Sequence, residues 1–284
     1  MIVLTGCSDP DGSPVDAPDD IWFEDQATRR GLVFEHRSGF DGRYLFPEIM
    51  AGGAALVDVD GDGDLDAYLV QGGSVDARDD VGNANRLFLN DGRGYFTTTE
   101  DRGASDMGYG MGVTTGDYDN DGDVDLYVTN VGRNTLLRND GAGRFTDVTA
   151  RAGVADTGWG TAAAFLDLDQ DGDLDLFVVN YVSWTLATAK ACYAVNTRTY
   201  CGPADADAAP DRLYRNNGDG TFAEISIAAG LGTAFGAGLG VVGSDFDRDG
   251  RIDVFVANDS MVNQLWMNRT APGGDPRFVD EAFL

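Results

Sequence analysis

Four segments of this chain are near copies of one another: Asp58-Val-Asp-Gly-Asp-Gly-Asp-Leu-Asp66, Asp117-Tyr-Asp-Asn-Asp-Gly-Asp-Val-Asp125, Asp167-Leu-Asp-Gln-Asp-Gly-Asp-Leu-Asp175 and Asp245-Phe-Asp-Arg-Asp-Gly-Arg-Ile-Asp253. A solvated acidic face predicts charge but no fixed spacing, whereas D-x-D-x-D-G-x-x-D recurs here four times without an error. The repeated segment therefore reads as a cation site. Oxygen ligands at loop positions 1, 3, 5 and 9, with a backbone carbonyl at position 7, suit an ion that takes about 6–8 oxygens. The predicted ligands are Asp58, Asp60, Asp62, Asp64 and Asp66; Asp117, Asp119, Asp121, Asp123 and Asp125; Asp167, Asp169, Asp171, Asp173 and Asp175; and Asp245, Asp247, Asp249, Arg251 and Asp253. Position 7 holds Asp64, Asp123 and Asp173 but Arg251 in the fourth loop, so it is expected to contribute only its carbonyl. Gly63, Gly122, Gly172 and Gly250 supply the sharp turn at position 6. Carboxylates without Cys or His point to Ca²⁺, at up to four sites, rather than zinc or copper. Mg²⁺ suits less well, since it keeps several waters.

An EF-hand begins in the same way but needs a Glu at position 12 and then a helix. Position 12 is Leu69, Val128, Val178 and Val256, and the residues leading into it are β-branched and aromatic, so each loop exits into a strand. Further blocks follow each loop: Arg86 to Asn90, Thr135 to Asn139, Arg212 to Asn216 and Gln264 to Asn268. In the first three an Asp-Gly or Asn-Gly turn comes next, a hairpin signal. Then comes a block opened by an aromatic: Tyr95-Phe96, Phe145 to Thr149, Phe222 to Ser226 and Phe278 to Asp280. A Gly-rich apolar strand precedes each loop. The unit is thus four short antiparallel strands, and such sheets bury their faces when set radially around an axis. Glycines at −5, −7 and −9 before the first Asp share one strand face, where the innermost strands crowd. The expected fold is an all-β β-propeller of four-stranded antiparallel blades, with a β-sandwich as the alternative. The units span about 50–99, 108–149, 158–226 and 236–281.

These loops, the L-x-x-N-x-G-x-G-x-F blocks and the segment Cys192…Tyr200-Cys201-Gly-Pro203 resemble the FG-GAP/VCBS repeats of integrin-type β-propellers. More narrowly, they are similar to bacterial cartilage acidic protein-like proteins of the ASPIC/UnbV family. The resemblance covers roughly residues 21–280. It implies a calcium-binding, extracytoplasmic propeller and metal ligation at the Asp positions above, but no established activity. The family commonly has more blades and a C-terminal ASPIC/UnbV region, so the expectation is a fragment: four blades of a larger, seven-bladed propeller. The block Phe23-Glu-Asp…Gly31-Leu32 matches Phe145-Thr-Asp…Gly153-Val154 without inner strands of its own. It implies an open arc of blades onto which missing blades or a second copy would pack, unless it caps a closed four-bladed ring.

Composition narrows the function. With 48 Asp or Glu against 20 Lys or Arg, the net charge of −28 repels phosphate, which excludes a nucleic-acid binder and disfavours an anionic membrane. The single His36 is expected to make a structural hydrogen bond rather than catalyse. Residues 225–244 carry no charge and contain Gly232, Gly236 and Gly240, but the Gly content and the blade pattern argue against a transmembrane helix. Gly238, Gly240 and Gly243 match G-x-G-x-x-G, yet lead into carboxylates rather than a helix. Cys192 and Cys201 lie in the longest inter-loop insertion, where a local disulfide is preferred to two free thiols and implies an oxidising compartment. Cys7 follows Leu4-Thr-Gly, which resembles a lipoprotein lipobox; either the chain starts inside a signal segment, with residues 8–20 as tether to a lipid anchor, or Cys7 is incidental.

Two functions remain. The preferred one is a non-enzymatic binding or adhesion module for protein or glycan, secreted or membrane-anchored on a bacterium. The alternative is an accessory or catalytic propeller of a polysaccharide-active protein. That role needs paired carboxylates outside the loops and aromatic platforms, for which Trp159, Trp184 and Trp266 are the candidates, although buried aromatics are the preferred reading. No nucleophile–base constellation is legible.

Overall fold

The structure is a computed structural model, and it describes residues 23–50, 52–76, 81–99, 102–271 and 274–282. Cys7 and the expected tether lie outside these residues. Four antiparallel sheets of four strands follow one another along the chain, each with its strands in sequence order. The first blade comprises Ala54–Val57, Asp66–Leu69, Arg86–Asn90 and Phe96–Thr99. The second comprises Gly110–Gly116, Asp125–Asn130, Thr135–Asn139 and Phe145–Asp147. The third has Gly160–Leu166, Asp175–Asn180, Arg212–Asn216 and Phe222–Glu224, and the fourth Gly238–Ser244, Asp253–Asn258, Gln264–Asn268 and Phe278–Asp280. This is the β-propeller arrangement. Each acidic loop joins the first strand to the second, with Val57 paired to Asp66 in the first blade and Gly116 to Asp125 in the second.

The glycine pattern is explained by crowding along the inner strands. A Cβ at Gly110 would lie 2.3 Å from Val70 Cγ1 in the first blade, and one at Gly112 would lie 2.6 Å from the Thr161 carbonyl oxygen in the third. Between blades, alternate side chains interleave. Tyr68, Val70 and Leu87 pack on Leu126, Val128 and Leu137; Tyr127 and Leu136 on Leu176, Val178 and Tyr214; Phe177 and Leu213 on Val254, Val256 and Trp266. The inner strands touch in chain order, and among the described residues no comparable contact joins the first to the last. The described blades therefore form an open arc.

Several expectations need correction. The last block of the second and third units does not stay extended through Thr149 and Ser226, because short helices begin there, Thr149–Ala152 and Ser226–Ala229. The Asp147 and Glu224 carboxylates accept the Thr149 and Ser226 N–H groups, and the two hydroxyls then accept from the Leu136 and Leu213 N–H groups, so local side-chain bonds replace the ladder. Phe23–Asp25 enters no ladder, yet its neighbours keep the repeat's turn: Asp25 accepts from the Ala27 N–H, and the Phe96 N–H reaches the Arg30 carbonyl as Phe145 reaches Arg102. Phe23 itself is 92% exposed, where its counterpart Phe145 is buried. His36 is exposed, and its side chain makes no hydrogen bond among the described residues. Residues 225–244 form a short helix, a 3₁₀ turn and an inner strand; among the described residues no helix is long and apolar enough to cross a membrane.

At the strand ends opposite the acidic loops lies a second core. Phe46 packs on Trp159 and Tyr181, and Trp159 on Trp184. The insertion of the third blade folds over this core as a hairpin, Cys192–Ala194 with Thr197–Thr199, closed by the Cys192–Cys201 disulfide. Two long-range bonds hold residues 43–48 against it: Arg198 Nη2 donates to the Arg43 carbonyl at 2.8 Å, and the Tyr200 hydroxyl to Glu48 Oε2 at 3.2 Å.

Candidate metal centre

The four acidic loops follow one backbone course. Their position 6 glycines have φ of 92°, 95°, 92° and 89°, in the left-handed region that a Cβ penalises. Position 1 holds the turn: Asp117 Oδ1 accepts the Asp121 N–H at 3.1 Å and Oδ2 the Gly122 N–H at 3.0 Å. Asp245 grips its loop in the same manner, and Asp58 does so through the Gly61 and Gly63 N–H groups. The position 5 carboxylates Asp62, Asp121, Asp171 and Asp249 each accept the N–H of position 7.

Carboxylate oxygens of Asp58, Asp60 and Asp62 converge within 4.8 Å of one another, as do those of Asp167, Asp169 and Asp171, and of Asp245, Asp247 and Asp249. In the second loop the converging group is Asp117, Asp119 and Asp125. The position 7 carboxylates stay outside these groups. Asp64, Asp123 and Asp173 lie against the glycines of the next hairpin, so that a Cβ at Gly92, Gly141 or Gly218 would stand 2.4, 3.1 or 2.9 Å from their Oδ2 atoms.

A buried oxygen with no donor marks each of the first three loops: Asp60 Oδ1, Asp119 Oδ1, and both Asp167 Oδ1 and Asp169 Oδ1. An unpaired buried carboxylate oxygen is costly in a protein. Burial first, and the neighbouring Asp62, Asp121 and Asp171 next, raise the pKa of Asp60, Asp119 and Asp169 above the ordinary carboxylate value. Hard, mutually repelling oxygens short of partners fit a hard divalent cation, which would supply charge compensation and a bridge across the turn.

Position 9 has a role that the spacing alone did not reveal. Asp66, Asp125, Asp175 and Asp253 are buried. In each, one oxygen accepts the N–H of loop position 2 and the other the N–H of an Asn in the third strand, as Asp125 does from Tyr118 at 3.1 Å and Asn139 at 2.8 Å. Burial lifts Asp125 and Asp175 to about 7. These side chains seal the loop onto its blade.

The same Asn residues were visible only as a letter in the L-x-x-N block. Asn139 Nδ2 donates to the Val124 carbonyl of its own loop and to the Val59 carbonyl of the preceding one, at 3.2 and 2.8 Å. Asn216 and Asn268 bridge to the preceding loops through Tyr118 and Leu168 in the same way. The loops are thereby linked side by side along one rim. Of the aromatic candidates, Trp159 and Trp266 are buried in the cores, and Trp184 is half-buried.

FG-GAP-like repeat units match residues 58–128, 117–178 and 200–256. The chain belongs to the FG-GAP-like repeat family. Each matched FG-GAP stretch contains or ends within a loop-and-strand unit described above. Among curated proteins, cartilage acidic protein 1 of Xenopus tropicalis and that of Homo sapiens are each 35% identical over 78 residues, or 28% of this chain. The match spans 12% of the length of those relatives. Among solved structures, a lectin of Agrocybe aegerita, described as specifically recognising non-reducing terminal N-acetylglucosamine, superposes with a TM-score of 0.43 at 17% identity. That superposition covers 81% of this FG-GAP chain and 51% of the lectin chain.

Proposed function

We propose that this chain is an extracytoplasmic binding module, a propeller whose acidic loops are set by Ca²⁺ and whose exposed surfaces meet a protein or glycan partner. The observation that carries the calcium reading is the donor-less buried oxygen in each of the first three loops. In those loops the carboxylates at positions 1, 3 and 5 would hold the ion together with the position 7 carbonyl, and position 9 would back them from within the blade. Asn139, Asn216 and Asn268 then pass the constraint from loop to loop, so an ion in one loop also steadies its neighbour. The Cys192–Cys201 disulfide supports an oxidising compartment. A cavity of about 360 Å³ beside the disulfide-closed insertion, lined by Trp184, Thr188, Lys190, Asp205 and Asp207, offers a mixed aromatic and polar surface for a partner.

Thermal melting in chelator and in saturating Ca²⁺ tests the reading. A ligand at about 100 times its dissociation constant adds roughly 2.7 kcal/mol per independent site, so the curves are expected to separate by many degrees. Superposable curves would remove calcium from the account. Glycan and protein arrays probed with and without Ca²⁺ address the partner, and signal indifferent to Ca²⁺ would detach recognition from the loops.

A further inference from the structure

The fourth loop shares the acidic motif but differs from the others at two further points. Position 7 is Arg251 where the first three loops have Asp64, Asp123 and Asp173. In the hairpin beside the loop, Arg269 stands where the other blades place Asp91, Asp140 and Asn217, directly after the bridging Asn. Both guanidiniums turn onto the loop. Arg251 Nη2 pairs with Asp249 Oδ2 while its Nε donates to the Asn268 carbonyl at 2.9 Å. Arg269 Nη1 donates to Asp247 Oδ2 at 2.9 Å and lies 3.8 Å from Asp249 Oδ2, and its Nη2 is anchored by Glu281 at 2.8 Å.

The consequence shows at position 3. Asp60, Asp119 and Asp169 each keep a buried oxygen without a donor. Asp247 does not: its Oδ1 accepts the Asp249 N–H at 3.2 Å and its Oδ2 takes Arg269. Among the described residues, no position 1, 3 or 5 carboxylate of the first three loops pairs with an Arg or Lys. Exposed ion pairs contribute little to stability one by one, but their effect on a competing cation is direct. A unit positive charge about 6 Å from a divalent ion weakens its binding about tenfold even at the dielectric of water, and this loop carries two.

We propose that Arg251 and Arg269 occupy the place of the divalent ion in the fourth loop, so that the chain takes up three Ca²⁺ and holds its fourth loop with built-in cations. The inference rests on the calcium reading of the other loops. It makes the fourth blade independent of calcium where its neighbours depend on it.

Counting bound Ca²⁺ on the full chain, by equilibrium dialysis at a concentration that saturates the tight sites, is the test. Three ions per chain are expected. Asp119→Asn is expected to lower the count to two, and Asp247→Asn to leave it at three. The paired change Arg251→Asp with Arg269→Asn, which restores the residue types of the other blades, is expected to raise it to four. Four ions on the unmodified chain, or loss of one ion in Asp247→Asn, would overturn the inference and leave the calcium reading standing. No uptake at all would overturn the calcium reading, and this inference with it. Should the double variant fail to fold, the unmodified chain and the two Asp→Asn variants decide the matter alone.

Discussion

Tyr127 and Leu136 of the second blade face the third blade and are wholly buried, whereas their counterparts in the fourth, Phe255 and Leu265, are only half-buried. Beside them Val242 is 57% exposed, while the matching Thr114 is half-buried. The glycines tell the same story: a Cβ at Gly112 would strike the Thr161 carbonyl oxygen, but one at Gly240 would meet nothing within 4 Å. The two blades have the same pattern of residues and the same strand register. What differs is whether another blade stands on the far side. A repeat unit of this kind encodes a face for its neighbour, and burial is a property of the stack rather than of the unit.

Truncating the stacked aromatic in both settings puts the largest strain on this comparison. Phe177 is fully buried between the third and fourth blades. Phe177→Ala is expected to cost about 3–5 kcal/mol, the range for a buried Phe that leaves a cavity. Phe255→Ala, at the equivalent position of the last described blade, is expected to cost only about 1 kcal/mol. Urea unfolding of the two variants measures both. Equal losses would mean that Phe255 is covered in solution, and the contrast between the blades would fall.

Most of the blade architecture was legible because it repeats. Four copies of one loop fixed the exits into strands, and four Asn-containing blocks placed the third strands. The sequence reading failed where a single contact overrides a local pattern. Thr149 and Ser226 have strand-like neighbours, yet Asp147 and Glu224 accept their N–H groups and both segments turn into short helices. The core under the insertion joins Arg198 to Arg43 and Tyr200 to Glu48, partners about 150 residues apart with no periodic signature. Within the site, spacing alone pointed to carboxylates converging at positions 1, 3 and 5, as they do in the first, third and fourth loops, and at position 9, which joins positions 1 and 3 in the second. The double role of position 9 did not follow from spacing, since its partners Asn90, Asn139, Asn216 and Asn268 come from the third strand of the sheet.

A smaller effect separates the burial of charge from the binding of metal. Asp211 lies in the third blade, outside every loop; burial lifts its pKa to about 7, as it does for Asp125 and Asp175 in the interior blades. A carboxylate whose folded pKa lies above its unfolded value stabilises the fold fully below the unfolded value, near 4. That contribution is lost as the pH rises through about 7. Chelated protein is therefore expected to be more stable at pH 5 than at pH 8. Asp211→Asn keeps an acceptor for the Asn180 N–H, and should recover on the order of 2 kcal/mol at pH 8 while changing little at pH 4. The calcium contribution runs the other way, because the loop carboxylates bind an ion only when ionised. Denaturant melts across that window, with and without chelator, resolve the two. A variant whose pH slope matches the unmodified chain would remove Asp211 from the account.

The smallest expected effect is the sharpest on the open face. Gly240 sits in the inner strand of the fourth blade, with no left-handed φ and with space around the position of an added Cβ. There a methyl group restricts the unfolded chain without meeting an obstacle, so Gly240→Ala is expected to stabilise by about 0.4–1 kcal/mol. At Gly112 the same change drives a methyl group into a backbone carbonyl, and at Gly238 one of the same length would stand 2.2 Å from Val179 Cγ1. Both of those are expected to destabilise by more than Gly240→Ala gains. The sign at Gly240 is what matters. Destabilisation there, read by urea unfolding at two protein concentrations, would show a sheet packed on the fourth blade as the third packs on the second. A loss that grows with concentration would place that sheet on a second copy of the chain, and a loss independent of concentration would place it within the same chain.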